Sequence, residues 1–371
     1  MKYLLVLLFT IQGLMVAAQE TETKPVYFER SNDSLIRFYY DMNYYLVDKN
    51  CEFKNIERVA AFDARTSKFV GKFVDYYPNG HRMLEGSYQD GSKEGVFTAY
   101  HPNMQIKWRA TFVNNTPQGN WEYYYPDGKP LMTVNYSSAG SKMVHYYDQR
   151  GVQRVKDGDG NYNFRVPYPG YNPYGFPFIR FKGKFKAGIP NGLWSVFYEN
   201  EKNSELAAVE EYHNNRLVRA EDYYTGERYA VQRFPIIPIV QFTRAEAIVS
   251  KQCNYDDFSG FLIYLIDYFN NSFANIQFSA SEELNFSYEV DLTHDGVKKK
   301  SLVIENPFLS NTEMAKAFEE VVSSLAYYPA SFKDGEYIAD KLTINGKIAI
   351  AEDKTLGFHS LTIDRENELK K

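Results

Sequence analysis

The sequence predicts a mainly β protein: repeated antiparallel β-hairpins, followed by a small α+β unit ordered helix, hairpin, helix, strand. Three observations predict it. Aromatic residues make up 17% of the 371 residues, with 32 Tyr and 27 Phe, and such rings favour half-buried strands. An aromatic–Pro–turn phrase recurs on a fixed step, at Tyr76–Gly80, Tyr100–Met104 and Tyr124–Gly128. Beyond residue 255 the apolar spacing changes to that of a helix.

The chain opens with Lys2, an apolar run over Tyr3–Ile11, and the small-residue pattern Val16-Ala17-Ala18. This reads as a secretory signal peptide over 1–18, too short in its apolar run to span a membrane. The mature chain is expected to start at Gln19, exported and without a membrane span. A lead-in segment over 19–68 follows. The net charge of −5 lacks the basic footprint of a nucleic-acid binder, and the short run Lys298–Lys300 reads as a solvated strand edge. Cys51 and Cys253 are the only cysteines. An oxidising compartment permits a bridge, but two lone cysteines so far apart make no framework. The expectation is two separate thiols.

The repeat has its own columns. Gly71, Gly95 and Gly119 share one, joined by Gly192; Phe73, Phe97, Trp121 and Trp194 share the next; Tyr76, Tyr100, Tyr124 and Phe197 another. Pro78, Pro102 and Pro126 close the strand, since Pro cannot donate to a ladder. Asn79-Gly80 and Asp127-Gly128 are expected to take the positive φ of a tight hairpin. One hairpin cannot bury its own aromatic face, but stacked copies can. A Gly in each column is expected to let a neighbouring ring lie close to the backbone.

These columns resemble MORN-type repeats, most closely the variant in YwqK-type antitoxin-like proteins, over about 69–230. The resemblance implies an elongated antiparallel ribbon serving as scaffold or interaction surface; the antitoxin role does not suit an exported chain. The repeats form two blocks, 69–155 and 181–230. Between them, the Pro/Gly/Tyr-rich insert 156–180 is expected to be a long loop. Its Asp157, Asp159 and Asn161 have the alternate spacing of a Ca²⁺ loop, but the sixth position is Tyr162 rather than Gly and the twelfth is Tyr168 rather than Glu. It reads as a turn-rich hairpin.

A linker over 231–254 leads into the last unit, 255–352. Phe258, Phe261, Leu262, Leu265 and Phe269 recur at helical spacing. Two alternating strands flank His294-Asp295-Gly296. Ser310 and Glu313 form a capping-box candidate, opening a helix with Met314, Phe318, Val321, Val322 and Leu325 on one face. A last strand is expected at about 338–350, then a polar tail, 353–371. This order, with "YEVDLTHDGVKKKSLVIE", "AFEEVVSSL" and "YYPASFKDGEYIADKLTINGKI", resembles the TonB C-terminal domain. The resemblance implies a sheet edge that accepts a partner's strand, such as a segment of an outer-membrane protein; Thr343 on the last strand is the candidate contact. The chain departs from that family in its cleavable signal and its lack of a long Pro-rich spacer.

The motifs of metal, nucleotide and nucleophile chemistry are missing from the sequence, which has no HExxH, CxxC, GxSxG or P-loop pattern. No catalytic residue, cofactor or metal site is assigned. His101 occupies a column otherwise held by Tyr77, Tyr125 and Tyr198 and reads as a strand-face substitute. Trp121 and Trp194 read as core, and the role of Trp108 is open. The sequence therefore points to an exported, non-catalytic protein of a Gram-negative cell envelope, binding other envelope proteins. The alternative is a glycan or peptidoglycan binder that uses exposed Tyr77, Tyr125 and Tyr198; a divergent envelope enzyme ranks third.

Overall fold

The structure is a computed structural model, and it describes residues 24–168, 171–200, 202–237, 248–253, 259–280, 282–333 and 336–366. The signal-peptide reading, and Phe258 of the helical stripe, lie outside the described residues.

The sheet opens with β1 (Phe28–Arg30), β2 (Ile36–Tyr40) and β3 (Ile56–Asp63). The first repeat block supplies β4 (Lys68–Tyr76), β5 (Arg82–Gln89), β6 (Ser92–Lys93), β7 (Gly95–Tyr100), β8 (Ile106–Val113), β9 (Thr116–Tyr124), β10 (Pro130–Ser137) and β11 (Gly140–Tyr147). Then come β12 (Gln153–Lys156), β13 (Asp159–Pro167), β14 (Phe178–Lys186), β15 (Ile189–Glu199), β16 (Ser204–His213), β17 (Arg216–Asp222) and β18 (Arg228–Tyr229). Together they form one 18-stranded antiparallel sheet, each strand paired with its neighbours in sequence except that β7 pairs with β5 past the short β6. The fold is thus mainly β and built of hairpins, as the sequence predicts. Two differences follow. The lead-in segment is part of the sheet through β1–β3. The insert is no plain loop either, because β12 and β13 carry the ladder through it onto β14.

Two kinds of turn alternate along the ribbon. Each turn of the aromatic–Pro phrase closes with a pair of backbone bonds: Tyr77 N donates to His81 O and Gly80 N to Tyr77 O, at 2.8 and 2.9 Å. Only its fourth residue is left-handed, at Gly80, Met104, Gly128 and Gly151, so Asn79 and Asp127 do not take the positive φ expected of them. The two-residue turns lie at the opposite ends of the strands. Asp90-Gly91, Asn114-Asn115 and Asn214-Asn215 hold positive φ at both positions, as such hairpins demand.

One face of the sheet carries a continuous aromatic core. Phe73 meets Tyr88 at 5.0 Å, Phe97 meets Phe112 at 5.0 Å, Phe112 meets Trp121 at 5.1 Å, and Trp121 meets Tyr136 at 4.4 Å. Further on, Tyr162 meets Trp194 at 5.8 Å. Trp121 and Trp194 are buried as read, and so is Trp108. The close-approach reading of glycine holds at Gly183, where a Cβ would stand 2.1 Å from the Trp194 ring, and fails at Gly71, Gly95, Gly119 and Gly192, which have open space.

After β18 the chain returns to the start of the ribbon. Leu46 N donates to Val249 O and Lys251 N to Leu46 O, at 2.8 and 2.9 Å, and Lys251 pairs with Asp41. This brings Cys51 and Cys253 together in a disulfide across 202 positions. The expectation of two separate thiols is overturned, because the path of the linker, and not cysteine spacing, decides the encounter.

The C-terminal unit has helix α1 (Ser259–Phe273), β19 (Leu284–Leu292), β20 (Lys298–Glu305), helix α2 (Thr312–Ser324), the short pair β21 (Ser331–Lys333) and β22 (Glu336–Ile338), then β23 (Asp340–Ile350) and β24 (Leu356–Arg365). Its sheet order is β20-β19-β23-β24. The expected polar tail thus contains a ten-residue strand. Phe261, Leu265, Phe269 and Phe273 of α1 and Met314, Phe318 and Val322 of α2 pack on Phe286, Tyr288, Leu342 and Ile344. The cap of α2 is Asn311, whose side chain accepts from Met314 N, so the Ser310–Glu313 box is not the device used.

Candidate functional site

The sequence points to two places for binding, the tyrosine column of the repeats and the C-terminal sheet. The tyrosine column is spent internally. Tyr77 donates its hydroxyl to Tyr100 O at 2.8 Å, and Tyr125 donates to Tyr147 O at 2.9 Å. Between them, His101 Nε2 donates to Tyr124 O at 3.0 Å. Each side chain therefore ties one turn to the strand end of the next repeat. Imidazole can replace phenol here because either ring delivers one hydrogen to the same carbonyl. A second row runs beside it, with His81 Nδ1 on Pro102 O at 2.8 Å and Asn103 Nδ2 on Pro126 O at 2.7 Å. Burial holds the Tyr77 and Tyr125 hydroxyls above their ordinary pKa, so both stay protonated as donors.

Tyr198 differs. It is buried, and packs with Tyr168, Tyr174, Phe176 and Tyr224.

Thr343 is not at an edge. It pairs with Glu289 of β19 on one side and Asp364 of β24 on the other, so the strand expected to accept a partner is already paired along both sides. The edges of that sheet are β20 and β24. Along β24, Asn270 Oδ1 accepts from Phe358 N at 2.8 Å, and a bulge falls opposite Asn345–Lys347 with Ser360 at φ 53°. A helix side chain on an edge N–H and a bulge both discourage pairing. β20 is bonded to 326–328 at its start, through Lys298 N to Ala326 O. Further along, Leu302 and Ile304 are only half-buried against the core, and Val303 is 60% exposed.

The insert makes a site the sequence did not single out. Tyr171 donates its hydroxyl to Tyr327 O and lays its ring on Phe261 and Tyr264, at 4.7 and 5.2 Å. The insert thereby bridges the ribbon and the C-terminal unit. Beside it opens a cleft of about 740 Å³, lined by Tyr174 and Phe176 of the insert, Asn203, Glu205 and Tyr224 of the ribbon, and Tyr264 and Tyr268 of α1. Burial, with Tyr268 alongside, pushes the Tyr264 hydroxyl up to about 12. The signal for this site was the unusual Tyr/Pro/Gly content of the insert, which says nothing of where the loop docks.

Among the described residues, no group of three His, Cys, Asp or Glu side chains could hold a metal ion. No described helix is long and apolar enough to cross a membrane.

The family model of the MORN repeat variant matches residues 69–90 and 117–138. Each MORN match covers one hairpin, β4–β5 and β9–β10, together with its five-residue turn. The β7–β8 hairpin repeats the same geometry, with His101 N on Gln105 O at 2.8 Å, though its sequence lies outside the MORN matches. No curated protein matches the chain.

Proposed function

We propose that the chain is an exported, non-catalytic scaffold of a Gram-negative cell envelope, which presents its C-terminal unit to an envelope partner. The MORN matches support a scaffold or protein-binding module. The side-chain rows that tie repeat to repeat support a stiff ribbon, and the bridge through Tyr171 fixes the C-terminal unit to it. The TonB-like order of helix, hairpin, helix and strand supports docking by strand addition.

The observation that carries this reading is the outer edge of β20, where an exposed Val303 lies between half-buried Leu302 and Ile304. A partner strand laid there completes the cover over two apolar side chains and satisfies edge backbone groups. Docking therefore moves from Thr343 to β20. The test is a pull-down from envelope extract with the full chain and with Val303→Pro, each checked by circular dichroism. The folded variant loses the partner on this reading; a folded variant that keeps it sinks strand addition at β20.

A further inference from the structure

We propose that the cleft between the insert, β15–β17 and α1 binds a neutral oligosaccharide. This stands apart from strand docking, since β20 takes no part in the cleft's lining.

Size comes first. A cleft of about 740 Å³ lies within the roughly 300–1,000 Å³ of sites that take small ligands, and an ammonium group alone would leave most of it empty. Ring arrangement comes second. Tyr174 meets Tyr224 at 4.3 Å with planes 36° apart, and Tyr264 lies beside Tyr268 at 5.7 Å with planes 17° apart. Rings grouped in pairs offer broad faces to an extended ligand. The C–H face of a pyranose fits such a surface.

Charge and hydrogen bonding come third. Among the described residues, Glu205 is the only charged residue of the lining, and no Lys or Arg belongs to it. An anionic ligand would meet a carboxylate and no counter-charge. Tyr224 donates its hydroxyl to Glu205 Oε2 at 2.7 Å, which holds the carboxylate in place. A carboxylate accepts and cannot donate. Sugar hydroxyls supply the donors it needs, and amide side chains such as Asn203 both donate and accept. A proline-rich peptide would cover the same rings, but its prolines carry no N–H to give Glu205.

The experiment is isothermal titration of the full chain with three probes: cellotetraose, maltotetraose and the tetramer of N-acetylglucosamine. A decaproline peptide forms the contrasting arm. Saturable binding of at least one tetrasaccharide is expected. Tyr268→Ala and Glu205→Gln should each weaken it about tenfold, with unchanged circular dichroism. Glu205 is exposed, so its variant keeps the test open if Tyr268→Ala fails to fold. The proposal is overturned if no tetrasaccharide binds, if binding survives a folded Glu205→Gln unaltered, or if only decaproline binds.

Discussion

The Tyr77 hydroxyl is bonded to the backbone carbonyl of Tyr100, one repeat further along the ribbon, at 2.8 Å. The same bond recurs from His101 to Tyr124 and from Tyr125 to Tyr147. A side chain that bonds across repeats couples the units in addition to the ladder and the shared aromatic core. Tyr77→Phe and Tyr125→Phe each keep the ring and remove the donor, leaving a half-buried carbonyl unmet. Each should cost about 1 kcal/mol, read by thermal or denaturant unfolding, with amide exchange quickened at the neighbouring turn.

Met104 occupies the turn position that Gly80 and Gly128 fill in the flanking repeats, at φ 70°. A residue with a Cβ is strained there, by roughly 1–2 kcal/mol. Met104→Gly should therefore stabilise the chain, although glycine's greater freedom when unfolded offsets part of the gain. A lower melting temperature for this variant would contradict the turn assignment.

Gly183 lies under Trp194, where an added Cβ would stand 2.1 Å from the indole. The corresponding residue one block earlier, Ala110, is buried in the same core as Trp121. Gly183→Ala should destabilise by about 1–3 kcal/mol through overpacking, and the near-ultraviolet signal of Trp194 should change with it.

A wholly buried ion pair anchors the first strands. Arg58 donates to both carboxylate oxygens of Asp75, at 2.7 and 2.9 Å, and its guanidinium lies 4.5 Å from the Phe73 ring centre. Asp75→Ala leaves that cation buried without its carboxylate, and should cost about 3–5 kcal/mol in unfolding measurements.

Glu210 provides a pH test. It is buried and accepts from Tyr212 and Tyr229 at 2.8 and 2.9 Å. Burial raises its pKa above the ordinary 4.5, against the opposing pull of both hydroxyls and Arg233. The folded protein therefore holds the proton more tightly than the unfolded chain. The stability this supplies is full below pH 4.5 and is lost as pH rises through the raised value. The stability of Glu210→Gln relative to the wild type should rise as pH goes from 4 to 7, and a relative stability that falls over that range would refute the assignment.

The repeat was legible because its period, its turns and its buried aromatic columns are all local. Trp121 and Trp194 carry the core where their spacing places them. What escaped depends on where distant segments meet. Cys51 finds Cys253 only because Leu46 captures the returning linker at Val249 and Lys251. Thr343 looked like an edge because Leu356–Arg365 reads as polar in one dimension, yet alternate residues Leu356 and Phe358 bury against the core. Tyr77 looked free because a hydroxyl's partner, here a carbonyl on the next repeat, leaves no mark in composition. The aromatic cleft needed three separate stretches to converge.

The most direct test places a photo-crosslinking residue in the full chain, either at Val303 on β20 or at Leu193 on the repeat ribbon. Both are well exposed, at 60% and 64%. In envelope extract, the account predicts one discrete partner captured through position 303 and not through 193. Capture through 193 alone would contradict docking on the C-terminal sheet and make the ribbon itself the binding surface.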